Sequence, residues 1–370
     1  MKFNITDTQA IKRCLELAMK GVGCVSPNPL VGAVIIKDGE IISEGWHNKY
    51  GDIHAEIDAI NKAVNKGISN FSDLIIAINL EPCFHFGKQP PCVDTIIEKK
   101  FKRVIIGMHD PNPVVSGRSI KKLKDAGIEV NIGVLEDDCK WINRFFCKYI
   151  VKKEPFIIMK VAQSIDGCIA TEKGESKWIT CEESRRRTHI LRSEVDAILV
   201  GIDTVLIDNP LLNIRYIDSN SNPAIIILDS NLRIPLDANL VQYAKERKII
   251  IVYTNDNPEK EYLLKKFNVI LIKAIKNKNN CIDIKDAIKK ITIEYKFISI
   301  LVEGGAKIFS SFINENLVDE LNIFIAPMII GNGKKTFENV YTEKLDLTAK
   351  FRIAGSIQSD IDEQILLIKK

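Results

Sequence analysis

Ten short runs of branched apolar residues punctuate this chain, and most are separated by enough sequence for a helix. They lie at 31–36 (VGAVII), 73–80 (DLIIAINL), 102–108 (KRVIIGM), 156–162 (FIIMKVA), 195–201 (VDAILVG), 224–229 (AIIILD), 248–254 (KIIIVYT), 268–273 (NVILIK), 297–305 (FISILVEGG) and 320–327 (ELNIFIAP). Runs of this length and composition suit strands buried on both faces. Strands that alternate with helices are joined by crossovers, so the pattern predicts an α/β fold with largely parallel central sheets. The first run is an exception: VGAVII, a Lys37-Asp38-Gly39 turn and EIISEGW (40–46) read as a hairpin. Residues 54–66, 92–100 and 119–126 read as helices, the last closed by Gly127.

At 370 residues the chain is long for one core. The polar stretch KYIVKKEPF (148–156) is the expected boundary, giving domains at 1–150 and 151–370. A net charge of +4 from 52 basic and 48 acidic side chains excludes a strongly basic nucleic-acid surface. Nine cysteines, odd in number and scattered, argue against a disulfide framework and for a reducing compartment. The first twenty residues read as an amphipathic helix rather than a signal peptide, and no apolar run is long enough to span a membrane. The expectation is a cytoplasmic protein without a membrane or nucleic-acid partner.

The sharpest chemical signal is His54-Ala55-Glu56, followed by Pro82-Cys83 and then Cys92. One imidazole and two thiolates make three ligands for a tetrahedral zinc and leave a fourth position for water. Zinc brings the pKa of such a water near neutrality, which yields hydroxide at physiological pH. Glu56, two residues from His54, is placed to shuttle protons without binding the metal, the arrangement found in zinc nucleobase deaminases. A lone H-x-E is common by chance, and free cysteines often only fill a core. The flanking sequence adds the specificity.

Those flanks are SPNPLVGAVI (26–35), GWHNKYGDIHAE (45–56), LEPCFHFGKQPPC (80–92) and MHDPNPVVSGRSIKKLKDAGIEV (108–130). Together they resemble the deaminase half of the bifunctional riboflavin-biosynthesis deaminase/reductase family. The resemblance implies a cytidine-deaminase-like α/β/α domain, zinc on His54, Cys83 and Cys92, and Glu56 as the catalytic acid/base. It also implies that Asn28, His47, Lys88 and Asn112 hold the substrate. Asn28 and Asn112 each sit in a P-N-P tripeptide, where turn chemistry alone would also explain them. Gln89 stands where the family usually has Thr, and His85, between the two cysteines, corresponds to a loop residue rather than a ligand.

In the second half no G-x-G-x-x-G follows a strand, so the usual dinucleotide fold has no support. Instead, Gly304-Gly305 links a strand to a helix, a turn able to cradle phosphate on free backbone N–H groups. KVAQSIDGCIA (160–170), ESKWIT (175–180), LRSEVDAILVGIDTVLIDNPLLNIR (191–215) and LVEGGAKIFSSF (301–312) follow in the order of the same family's reductase half. That half resembles dihydrofolate reductase in fold and uses NADPH. The resemblance implies cofactor contacts at Ala162, Trp178, Thr204, Asp208, Thr254, Gly304, Gly305, Ala306, Lys307, Ile308 and Phe309. It places Ser176, Arg192, Leu212, Arg215 and Glu303 on the substrate side, the two arginines suiting a phosphate. Arg185-Arg186-Arg187 reads as a solvated helix face, and Asp166, in an S-x-D-G turn, as structural.

The resemblance implies two successive reactions on one polypeptide. Zinc-activated water would remove ammonia from 2,5-diamino-6-(5-phosphoribosylamino)pyrimidin-4-one. NADPH would then reduce the ribosyl group of the resulting uracil to a ribityl chain. It also implies one zinc per chain and a homo-oligomer, a dimer or a tetramer. A nucleobase deaminase with an unrelated appended domain would leave WIT, DNP and EGG unexplained. A structural zinc would want a fourth protein ligand.

Overall fold

The structure is a computed structural model that describes residues 4–84 and 90–370. Its contacts divide the chain into two compact units, Met1–Lys153 and Glu154–Lys370.

The first unit opens with helix α1 (Asp7–Ala18), started by a capping box. The Thr6 hydroxyl accepts from the Gln9 N–H, and the Gln9 side chain accepts from the Thr6 N–H. Five strands follow among the described residues: β1 (Gly32–Lys37), β2 (Glu40–Trp46), β3 (Ile75–Leu80), β4 (Arg103–Met108) and β5 (Glu129–Ile132). Their order is β2-β1-β3-β4-β5. The hairpin and the β1–β3 pair are antiparallel, while β3, β4 and β5 run parallel. The strands alternate with α2 (Ala55–Asn65), α3 (Cys92–Glu98) and α4 (Arg118–Asp125), and α5 (Glu136–Ile142) and α6 (Arg144–Lys152) end the unit. Ile76, Ile78, Val104 and Ile106 are fully buried, as strands covered on both faces require. A side chain at Gly45 would collide with the Ala55 carbonyl, so the start of α2 lies directly on β2.

The second unit carries β6 (Phe156–Ser164), β7 (Cys168–Ala170), β8 (Ala197–Gly201), β9 (Ala224–Leu228), β10 (Ile249–Tyr253), β11 (Ile270–Lys273), β12 (Ser299–Val302), β13 (Glu320–Ala326), β14 (Lys334–Lys335), β15 (Phe351–Ser359) and β16 (Asp362–Lys369). Nine of them form one sheet in the order β11-β10-β9-β8-β12-β6-β13-β16-β15. Neighbours are parallel from β11 through β13 and antiparallel beyond. The helices are α7 (Glu182–Glu194), α8 (Ile202–Asp208), α9 (Asn239–Gln242), α10 (Pro258–Lys266), α11 (Ile284–Tyr295) and α12 (Ala306–Asn314). A separate apolar core, with Met159, Leu199, Ile226, Ile250, Val302 and Phe312 among its members, lies under this sheet.

Several elements differ from the sequence reading, the short strands β5, β7 and β14 among them. The polar boundary stretch is largely helical, because α6 runs to Lys152 before Lys153 turns with φ 58°. The β15–β16 hairpin was not anticipated. Most β15 side chains are exposed, so its residues lack the inward apolar face that makes a strand legible.

Candidate active sites

The residues of the first site converge where β3 ends. His54 is the N-cap of α2, and Cys92 is the first residue of α3. Cys83 lies three residues beyond β3, and its sulfur accepts the Cys92 N–H at 3.2 Å. His54 Nδ1 is 3.2 Å from Cys92 Sγ and 3.6 Å from Cys83 Sγ. All three donor atoms lie within 4.8 Å of one another. A tetrahedral zinc with ordinary bond lengths needs nitrogen–sulfur separations of about 3.6 Å, so the donor set fits the metal.

By themselves these side chains already favour a thiolate. The Cys92 hydrogen bond, against the effect of burial, lowers the Cys83 thiol, while that contact and burial push Cys92 up. Hydrogen bonding to Cys83 raises His54 to about 9. Glu56, in the first turn of α2, is 3 % exposed, and burial raises its carboxyl above the usual range. It faces the Cys92 sulfur, placed to carry a proton beside the metal position.

A cavity of about 420 Å³ opens onto these groups and is lined by Asn28, His47, Glu56, Cys83, Asn112 and Tyr149 among others. His47 is buried, and its Nδ1 lies 3.1 Å from the Ile53 carbonyl, which can only accept. Nδ1 therefore carries the proton, and Nε2 accepts from Asn28 Nδ2 at 3.0 Å. Burial lowers the His47 pKa, which keeps the ring neutral. Asn28 thus turns its Oδ1 away from His47. Asn112 Oδ1 accepts the Val114 N–H at 3.1 Å, which leaves its Nδ2 as the end without a partner among the described residues. Turn chemistry and a place in the cavity coexist at Asn112. Lys88, His85 and Gln89 lie outside the described residues.

Sequence reasoning missed Glu81. Its side chain is 1 % exposed and borders the cavity. It accepts the N–H groups of Asp110, Gly117 and Ser119 at 3.1, 3.0 and 3.2 Å. The neighbouring Pro-Cys marked this stretch, but nothing local reveals partners some thirty residues away.

In the second unit the predicted residues gather at the C-terminal ends of parallel strands, where open α/β sheets bind ligands. Ala162 is near the end of β6, Thr204 and Asp208 lie on α8 after β8, and Gly304 and Gly305 follow β12. A Cβ on Gly304 would sit 2.8 Å from Val200 Cα, and one on Gly201 2.8 Å from Ile308, so the two strand-to-helix turns abut. Gly305 adopts φ 68°, and α12 starts at Ala306 without a side-chain cap. The first N–H groups, at Ala306, Lys307 and Ile308, therefore have no partner within the helix. Ile308 is half-buried and Phe309 buried against the core. Thr254 follows β10, and its N–H donates to the Ser230 carbonyl.

Trp178 is 62 % exposed, which removes it from the core, and the Arg185 guanidinium stacks 4.5 Å from its ring. Arg185 also donates to the Thr180 carbonyl, and Arg187 reaches Glu183 and Gln364. Only Arg186 of that trio matches the expected solvated face. Ser176 is half-buried in the loop before α7. Asp166 accepts from Ser164 Oγ and from the Ile330 and Gly331 N–H groups, a structural tie.

Arg192 and Glu303 form a buried bidentate pair at 2.6 and 2.7 Å, and Arg192 Nη1 donates to the Asn213 carbonyl. Burial opposes the charge on Arg192, and the Glu303 carboxylate outweighs it, so the guanidinium is raised. Burial likewise opposes charge on Glu303, yet Arg192 holds it ionised below the usual range. Two Arg192 N–H groups remain beyond these bonds. Arg215 is exposed, and Leu212 is buried with φ 50°. Their segment is held by buried Arg247, which donates to the Leu211 and Leu212 carbonyls, and by His189, which accepts the Arg215 N–H. Lys160, on β6 near Glu303 and Arg192, is a further half-buried basic residue that the sequence reading passed over; desolvation lowers its pKa.

Fold and sites define a protein of two catalytic α/β units, a metal-dependent deaminase followed by a reductase. Residues 5–108 match the cytidine and deoxycytidylate deaminase zinc-binding region, and residues 155–362 match the RibD C-terminal domain. Riboflavin biosynthesis protein RibD of Actinobacillus pleuropneumoniae is 39% identical over 98% of this chain and 95% of its own length. That of Aquifex aeolicus is 41% identical over 88% of each. The solved deaminase/reductase of Thermotoga maritima superimposes with a TM-score of 0.86 at 36% identity, covering 98% of this chain and 99% of its own. The chain belongs to the bifunctional deaminase/reductase family of riboflavin biosynthesis. Among the described residues, no helix is long and apolar enough to cross a membrane.

Proposed function

We propose that the first unit deaminates 2,5-diamino-6-(5-phosphoribosylamino)pyrimidin-4-one, and that the second reduces the ribosyl group of the product with NADPH. The observation that carries the first step is the His54–Cys83–Cys92 donor set with buried Glu56 beside it. One zinc per chain, held by those three residues, would supply Lewis-acid activation of water. Glu56 takes the proton released by the attacking water and delivers it to the departing amine. Its raised pKa suits a group that must hold a proton between the two transfers. Asn28 Oδ1 and Asn112 Nδ2 offer the pyrimidine one acceptor and one donor, neutral His47 fixes Asn28, and Lys88 is assigned to the phosphate.

For the second step, Ala162, Trp178, Thr204, Asp208, Thr254 and the Gly304–Phe309 turn form the NADPH side. The α12 N-terminus offers N–H groups to a phosphate, and the cofactor supplies hydride when bound. Ser176, Leu212, Arg192 and Arg215 hold the phosphoribosyl group, with Arg215 the freer guanidinium. Glu303 is held ionised by Arg192, so it acts by stabilising positive charge on the opening sugar, and the departing ring oxygen takes its proton from solvent. A homo-oligomer is supported by the exposed edge strand β15, where Ile353 and Ile357 face outward. The nine free thiols support a reducing, cytoplasmic setting.

The test is to supply the diaminopyrimidinone phosphoriboside and follow ammonia and NADPH separately in Glu56→Gln. Ammonia release should fall by at least about a hundredfold, with NADPH oxidation on the deaminated intermediate intact. Parallel loss of both activities would refute this division of labour.

A further inference from the structure

We propose that Glu81 is a positioning residue for deamination: its carboxylate fixes the segment that carries Asn112 into the cavity. The inference rests on the reading above that Asn112 touches the pyrimidine.

Segment 109–117 follows β4 and has little regular structure to hold it. Pro111 and Pro113 contribute no N–H, and the Val115 and Ser116 N–H groups turn back onto the Asn112 carbonyl, so these bonds close the segment on itself rather than tie it to the sheet. The Asp110 N–H goes to Glu81 Oε2 at 3.1 Å, and the Asn112 N–H goes to Asp110 Oδ1 at 2.8 Å. The Val114 N–H goes to Asn112 Oδ1. The segment then closes on Glu81 again, through Gly117 N–H at Oε2 and Ser119 N–H at Oε1. Asn112 is thus bracketed by two attachments to one carboxylate. Gly117 is the N-cap of α4, which has no side-chain cap of its own, so Glu81 also places its charge at the positive end of that helix.

The placement of Glu81 along the chain gives this clamp its purpose. Asn79 near the end of β3 and Glu81 and Cys83 just beyond it are alternate residues of one run. Asn79 is fully buried, accepts the Gly32 N–H at 2.8 Å and donates to the Leu30 carbonyl at 3.0 Å, which ties down the loop of Asn28. Cys83 belongs to the metal donor set. One strand end therefore helps set the register of both amide-bearing loops against the metal position, with Asn143 bonding the Leu30 N–H and carbonyl from the other side. Both Glu81 oxygens are engaged, so a glutamine would keep one acceptor and turn an NH2 group towards a backbone N–H.

The test uses the full-length protein with E81Q, E81D, N112A and the E81Q/N112A double variant. KM and kcat are measured for ammonia release, alongside zinc content and NADPH oxidation on the deaminated intermediate. E81Q should raise the deamination KM about tenfold or more, the loss of roughly one buried hydrogen bond. Its kcat should change far less, and zinc and reductase rate should stay at wild-type levels. E81D, which keeps the charge, should show a smaller KM rise. In the double variant, KM should match N112A alone, because Glu81 acts through Asn112. Multiplicative effects, an unchanged KM in E81Q, or loss of zinc or reductase rate in both Glu81 variants would overturn the proposal. An N112A variant with wild-type KM would instead refute the substrate role of Asn112 itself.

Discussion

His189 is a buried base whose protonation the fold resists, and the cost can be worked out from its surroundings. It lies on α7, 3 % exposed, with its ring edge-on to Tyr216 at 4.8 Å between centroids. Its Nδ1 accepts the Arg215 N–H at 3.1 Å, so that nitrogen must be free of a proton. Burial first, and then the positive charges of Arg192 and Arg215, lower its pKa from the ordinary 6.5 to about 4. The unfolded chain therefore binds the proton more readily between those values, and stability rises with pH across that window. Above pH 6.5 there is no penalty; as the pH falls to 4 the protein should lose about 3 kcal/mol through this residue. Below pH 4 both states are protonated and the loss stops growing. His189→Asn keeps an acceptor for the Arg215 N–H but cannot titrate in this range. Urea unfolding of the second unit at pH 7, 5 and 4 should show the wild type losing about 3 kcal/mol more than the variant. With only five histidines in the chain, proton NMR can follow the ring directly. A His189 resonance titrating near 6.5, or parallel stability losses in the two proteins, would refute this reasoning.

Cys83→Ser should remove the metal, from about one zinc per chain to near none by elemental analysis; full zinc in that variant would sink the ligand assignment. Gly304→Ala would place a methyl group 2.8 Å from Val200 Cα and 2.9 Å from the Gly201 nitrogen. It should cost about 1–3 kcal/mol by thermal unfolding and raise the KM for NADPH, with deamination unchanged. If β15 joins two copies as proposed, Ile357→Lys should lower the mass seen by light scattering; an unchanged mass would refute β15 as the contact.

What was legible in the sequence was local. His54-Ala55-Glu56 and Pro82-Cys83 are contiguous motifs, and the branched runs became strands because burial on both faces demands that composition. Hidden were the groups whose meaning lies in distant partners. Glu81 looked like part of the Pro-Cys motif, and its three bonds run to residues 110, 117 and 119. His189 stood in no motif, because its partner is a backbone N–H twenty-six residues on. The arginine trio read as one exposed run, whereas helical geometry turns Arg185 onto Trp178 and Arg187 towards Gln364 and leaves Arg186 outside. β15 escaped because an edge strand with exposed side chains carries little hydrophobic pattern.

The strand order of the second unit has a consequence for how the polypeptide reaches its native state. β8, β9, β10 and β11 are sequential neighbours and can zip together as they emerge, each through a short crossover. β6 is made before all of them, yet both of its partners, β12 and β13, come last among the parallel strands. Until then Phe156–Val161, an almost wholly apolar segment, has neither edge satisfied. Such long-range pairing is slow and leaves an adhesive strand in the open. Pulsed hydrogen exchange during refolding should find the amides of β9 and β10 protected before those of β6, with early protection of β6 as the contrary result. The middle of the finished sheet is thus the part the nascent chain must keep from other molecules longest.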